Sequence, residues 1–189
     1  MDLKSSNRMS KLRLPLLCAA LLITAACGNT VTTSTKNGPV PSFQSAQPQL
    51  LAAAISDAKY KQSKGQRVWC VPFARAASGV EIQGNGGTWW HSAAGRYERN
   101  HQPRPGAVMA FASMAKMPMG HVAVVAEVVD SRKVLINHTN WHRNKISLKM
   151  PVIDISPKND WSMVRVEGTP GVLGSPYKVQ GFIHPTKQM

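Results

Sequence analysis

The apolar positions of this 189-residue chain change their spacing along its length, and each change predicts a different kind of segment. A compact apolar run occupies residues 14–23, and a polar, almost uncharged stretch rich in Thr, Ser, Pro and Gln follows from residue 28 to about 49. Residues 50–60 then carry the alanine content of a short helix. Residues 71–78 read as a helix with Pro72 in its first turn and Gly79 as its stop. Residues 88–94 read as a second, capped by Thr88 and stopped by Gly95. Arg104-Pro105-Gly106 marks a turn, after which β-branched or alternating runs predict strands at 107–112, 121–129 and 134–141. Weaker strand patterns follow at 146–155, 163–166 and 179–183. Helices in one block and strands in the next predict an α+β fold, with N-terminal helices packed on an antiparallel sheet.

The N-terminal segment predicts export. Lys4, Arg8, Lys11 and Arg13 precede the apolar run, and Thr24-Ala25-Ala26 lead into Cys27, which is the outline of a secretory signal. An apolar run of about ten residues is too short to cross a bilayer, which takes roughly 20. Small residues before a cysteine resemble the lipobox of bacterial lipoproteins, with Thr24 where that motif usually holds Leu, Val or Ile. The resemblance implies lipidation of Cys27 and attachment to a membrane, facing the periplasm or cell wall; ordinary cleavage after Ala26 satisfies the same small-residue rule. The predicted organisation is a signal over residues 1–26, a tether over 27–49, a lead-in helix over 50–64 and one compact, monomeric domain over 65–186. Such a tether has a root-mean-square span of roughly 25 Å.

Charge narrows the partners. The chain has 23 Lys and Arg against 9 Asp and Glu, a net charge of +14. Loss of residues 1–26 removes four basic residues and one acidic one, leaving +11, so the basicity belongs to the exported part. A cationic exported domain is attracted to wall polymers or anionic lipid surfaces. No Lys/Arg arm or nucleic-acid recognition motif is visible, so nucleic acid is not an expected partner. No HExxH motif, CxxC pair or Asp-rich loop is present, and neither a metal nor a cofactor is expected.

The chemistry centres on Cys70, the one thiol left once Cys18 departs with the signal and Cys27 carries lipid. It stands at the N-terminal edge of the 71–78 helix, where backbone N–H groups and the helix dipole favour a thiolate. A base is available in His121, which heads the apolar strand GHVAVVAEVV, and the following strand carries His138 and Asn140 in INHTNW. If Ser131 and Arg132 form a two-residue turn, His121, His138 and Asn140 share one face and Asn137 points away. That register leaves Asn140 about two residues, and His138 about four, from the position opposite His121, so a bulge or strand twist is needed to bring His138 in. A three-residue turn reverses the parity and promotes Asn137 or Thr139 instead.

The strings GQRVWCVPFAR, PRPGAVMAF, GHVAVVAEV and INHTNW, in that order over about residues 66–166, resemble the CHAP domain, a bacterial cysteine, histidine-dependent amidohydrolase/peptidase of the papain-like and NlpC-like group. The resemblance implies Cys70 as nucleophile, His121 as base and His138 or Asn140 as the third member. CHAP domains often place Glu where His138 stands, with Asn two residues later as here. The implied reaction is hydrolysis of peptidoglycan through a thioester, as amidase or endopeptidase. The Cys70 N–H is the leading oxyanion donor, with the Gln66 side chain as a second candidate. Trp69, Trp89, Trp90 and Trp141 are candidates to line a substrate groove. Two other readings remain open: a wall-binding lipoprotein without turnover, and a related thiol acyltransferase.

Overall fold

The computed structural model describes residues 43–187. The signal, Cys27 and residues 28–42 of the expected tether lie outside the described residues. Three helices come first: α1 (Phe43–Ser63), α2 (Cys70–Ser78) and the short α3 (Trp89–Ser92), with a 3-10 turn at Gly86–Thr88 leading into α3. Seven strands follow: β1 (Tyr97–Asn100), β2 (Val108–Phe111), β3 (His121–Val128), β4 (Lys133–Thr139), β5 (Ile146–Asp154), β6 (Met163–Thr169) and β7 (Val172–Lys187). All are antiparallel, in the order β1-β7-β2-β3-β4-β5-β6.

The long strand β7 closes the sheet on itself. Its first half pairs with β6, from Thr169↔Val172 to Met163↔Lys178, and its second half pairs with β2, from Phe111↔Val179 to Val108↔Ile183. Strands β2 to β7 thereby form a barrel, with β1 added outside on β7. A closed sheet has no free edge to satisfy.

Alternation along the strands sorts the core into two clusters. Met109 and Phe111 of β2, with Ala123 and Val125 of β3, face the barrel interior alongside Ile136, Val152, Val164 and Phe182. Val108, Ala110, Val122 and Val124 face outward beneath the helices, against Phe73, Ala74, Ala77 and Trp89. Strand β2 is buried on both faces for this reason, which is why it reads as a continuous apolar run.

Three sequence expectations need correction. The tether does not extend to residue 49, because α1 begins at Phe43 and carries Pro48 inside it. Ala54 and Ala58, one turn apart, are buried against the α2 side of the core, and this packing overrides local composition. The second helix is shorter than 88–94, and Thr88 does not cap it; its hydroxyl donates to Asn85 O at 2.8 Å. Strand β1 and the first half of β7 carry no apolar alternation and were not expected. The helix ending at Gly79 is as predicted, with Gly79 left-handed at φ 72°.

A close approach of backbones sets the start of β3. Gly87 N–H donates to Met119 O at 2.9 Å, and a Cβ on Gly86 would lie 2.8 Å from the His121 carbonyl carbon. Gly120 has φ 62°, and a Cβ there would fall onto the Gly87 backbone. Gly120→Ala is therefore expected to cost about 3 kcal/mol, combining positive-φ strain with a backbone clash. A urea midpoint unchanged from the parent chain would contradict this.

Candidate active site

The site forms where β3 and β4 part. From the hairpin, Val128↔Val134 and Glu127↔Leu135 are opposed, then a bulge at Ala126 shifts the register to Val125↔Ile136 and Val124↔Asn137. The hairpin loop is three residues rather than the two predicted, since Val129 N–H bonds to Lys133 O. That length alone would reverse the strand parity. The bulge restores it, and the two changes together move β4 by two residues relative to the predicted register. Continued from Val124↔Asn137, this register brings Asn140 opposite His121 and His138 within two residues of it.

His138 makes the contact. His121 Nε2 and His138 Nδ1 are 2.9 Å apart, their rings nearly perpendicular at 82°. Both point to the barrel-interior side; His121 is 5 % exposed and His138 fully buried. Trp141 lies over both imidazoles, with centroid distances of 5.2 Å to His121 and 5.5 Å to His138. On its other side Trp141 packs against Tyr177. His138 Nε2 lies 3.2 Å from Met150 Sδ.

Asn140 does something else. It is left-handed at φ 63°, and its Oδ1 accepts from Asn144 N–H at 2.9 Å and Arg67 Nε at 3.3 Å. It thus closes the β4–β5 turn and ties it to the segment before Cys70. Asn137, on the helix-facing side, accepts from Lys149 N–H at 2.9 Å.

Cys70 is the first residue of α2, half-buried against the helix-side cluster. The N–H groups of Val122, Val71 and Cys70 itself are directed at its sulfur. Val125 N–H points to β2, where it bonds to Ala107 O, so alternation turns the Val122 N–H toward β4. The β3–β4 ladder has ended there, with Val124↔Asn137 as its last pair. The thiol therefore sits beside the residue that follows His121. No hydrogen bond joins its sulfur to the imidazole among the described residues.

The electrostatics differ from the expected preformed thiolate. Burial pushes the Cys70 thiol above its ordinary pKa, outweighing the three N–H groups that act in the opposite direction. Burial also lowers His121 to about 3. His138 is held well below the usual imidazole value by burial first, then by His121 and His142. Thiol and both rings are neutral at rest.

The remaining candidates separate. Trp69 is 51 % exposed, with the Arg67 guanidinium 4.1 Å from its ring centre. With Gln66, Pro72 and Phe73 it lines a groove of about 290 Å³ against α1. Gln66 is exposed, and the N–H groups at the sulfur come from elsewhere. Trp89 is fully buried in the helix-side core and lines no groove, a correction to the sequence reading. Trp90 packs on Gly181 of β7 and under Arg99. Met150 has no motif signal; its pairing with Ile136 places it beside His138 on the same face. Among the described residues no group of three or more His, Cys, Asp or Glu is placed to hold a metal, and no helix is long and apolar enough to cross a membrane.

Residues 59–140 match the family model of the CHAP domain, a stretch that runs from the end of α1 to Asn140 and takes in Cys70, His121 and His138. That match supports a coarse assignment to hydrolase chemistry of amidase or peptidase type. No curated protein matches the chain.

The lowered His121 pKa carries a stability consequence. An unfolded His takes up its proton near 6.5, whereas the native ring does not until about 3. Between these values the unfolded state binds more protons, so stability falls as pH drops. From pH 7 to pH 5 this ring alone should remove about 2 kcal/mol. Urea unfolding at the two pH values checks it, and His121→Gln should flatten the slope.

Proposed function

We propose that the chain is an exported peptidoglycan hydrolase on a papain-like or NlpC-like fold, with Cys70 as nucleophile and His121 as base. Lipid attachment at Cys27 would hold it at a bacterial membrane, facing the wall. The observation that carries this reading is the placement of the Cys70 sulfur against the Val122 N–H, next to a His121 whose Nε2 is already bonded to His138. In this reading the nucleophile comes from the start of α2, the base from the head of β3 and the orienting group from β4.

The neutral resting state sets the order of proton movement. As the Cys70 sulfur attacks an amide carbonyl carbon, its proton passes to His121 Nδ1, the nitrogen not engaged by His138. The carbonyl oxygen gathers negative charge and is stabilised by N–H groups at the start of α2. His121 then gives the proton to the departing amine, leaving a thioester on Cys70. A water molecule, deprotonated by the same nitrogen, attacks the thioester and releases the acid. Burial favours neutral partners before the reaction, and substrate supplies the drive for proton transfer. The groove beside Trp69 and Arg67 offers an aromatic face and a cation next to the nucleophile, suited to a peptide that carries carboxylates. The net charge of +11 that remains without residues 1–26 favours the same anionic polymer.

The test is release of soluble fragments or new amino groups from purified peptidoglycan. Cys70→Ala and His121→Ala should each lower the rate at least ~10³-fold while the chain stays folded. Wall binding without any release by the parent chain would leave the non-catalytic reading standing; a trapped thioester without wall cleavage would favour an acyltransferase.

The acid limb of the rate gives a second check. His121 fails as a base only once it is protonated, and its pKa lies near 3, so kcat/KM should hold well below pH 6.5 before falling. A limb centred near 6.5 would contradict the buried, neutral imidazole.

A further inference from the structure

The His121–His138 hydrogen bond contains one proton, and its ownership decides what His121 can do. A neutral imidazole has one N–H and one bare nitrogen. Burial keeps both rings in that form. Geometry at the far end of the pair then settles the direction.

His138 Nε2 stands 3.2 Å from Met150 Sδ. A thioether accepts weakly and has no hydrogen to donate, so this contact is a hydrogen bond only when Nε2 carries the proton. His138 Nδ1 is then bare. At 2.9 Å it accepts from His121, so the shared proton belongs to His121 Nε2. His121 Nδ1 is left bare, the form a base requires. In the opposite arrangement the bare Nε2 of His138 faces the sulfur lone pairs, and His121 Nδ1 already carries a proton. That form cannot accept one from a thiol.

We propose that Met150 is a positioning residue which, through His138, holds His121 in the tautomer that can act as base. The inference rests on the hydrolase reading for its meaning in catalysis, but the tautomers themselves do not depend on it. The strand is shaped to deliver the sulfur. Ile136 opposes Met150 while His138 opposes Ser147, so β5 carries an extra residue between these pairs. Lys149 sits in that bulge at φ 51°, and its N–H is taken up by Asn137 Oδ1. Met150 lies on the barrel-interior side through its pairing with Ile136, two residues before His138 on the same face of β4.

The test uses the chain labelled with 15N at its histidine rings, alone and as Met150→Leu, a volume-conserving change that removes the acceptor. In the parent, ring 15N spectra at neutral pH should show His121 and His138 both protonated at Nε2 and bare at Nδ1. In Met150→Leu, His138 should populate the Nδ1–H form, His121 should follow, and kcat on peptidoglycan should fall about tenfold with KM unchanged as the competent tautomer becomes a minority. Protonation of His121 at Nδ1 in the parent overturns the proposal. So does a folded Met150→Leu chain whose tautomers match the parent. If the parent cleaves no peptidoglycan, the hydrolase reading fails while the spectra still decide the tautomer. If the parent cleaves and Met150→Leu is unchanged in both spectra and rate, the proposal fails while the hydrolase reading survives.

Discussion

Everything at the site follows from the divergence of β3 and β4 beyond Val124 and Asn137. Up to that pair the strands are laddered; beyond it, β4 stays with β5 as far as Thr139↔Ile146, and the near end of β3 is released on that side. Two consequences come from one event. The Val122 N–H, turned toward the missing partner, lies on the Cys70 side and favours the thiolate there. On the interior side, the imidazoles of His121 and His138 bridge the same opening with a side-chain hydrogen bond.

The surroundings hold that opening in place from three directions. Gly86 and Gly87 pack directly on the start of β3, where no side chain would fit. Arg67 and Asn144 converge on Asn140, linking the segment before Cys70 to the β4–β5 turn. Trp141 lies across both imidazoles and shields them from water. Shielding carries a cost in charge: it holds both rings neutral and raises the thiol, which the helix start and the Val122 N–H offset only in part. In such surroundings the resting thiol keeps its proton.

An imidazole at the proposed orienting position behaves differently from a carboxylate. An ionised carboxylate only accepts, so it fixes the orientation of its partner alone. An imidazole accepts or donates according to its tautomer, and a further group is needed to set the direction. His138 has Met150 at its far nitrogen, because Met150 opposes Ile136, two residues before His138 on the same face of β4.

Much of this was legible in the order of residues. The thiol at a helix edge, the His at the head of an apolar strand, the α+β order and the 71–78 helix with its Gly79 stop all follow from local chemistry and period. The shared face of His121 and His138 was also readable, but the turn assumed for it was a residue too short, and the bulge at Ala126 compensated. Bulges at Ala126 and near Lys149, the closure of the barrel by β7, and the separate fates of His138 and Asn140 were decided only in three dimensions. Each depends on how a strand meets a partner distant in sequence, and hydrophobic alternation along one strand carries no record of that register. The thiol's ionisation was decided there too, because a helix start is visible in sequence whereas the depth at which it is buried is not.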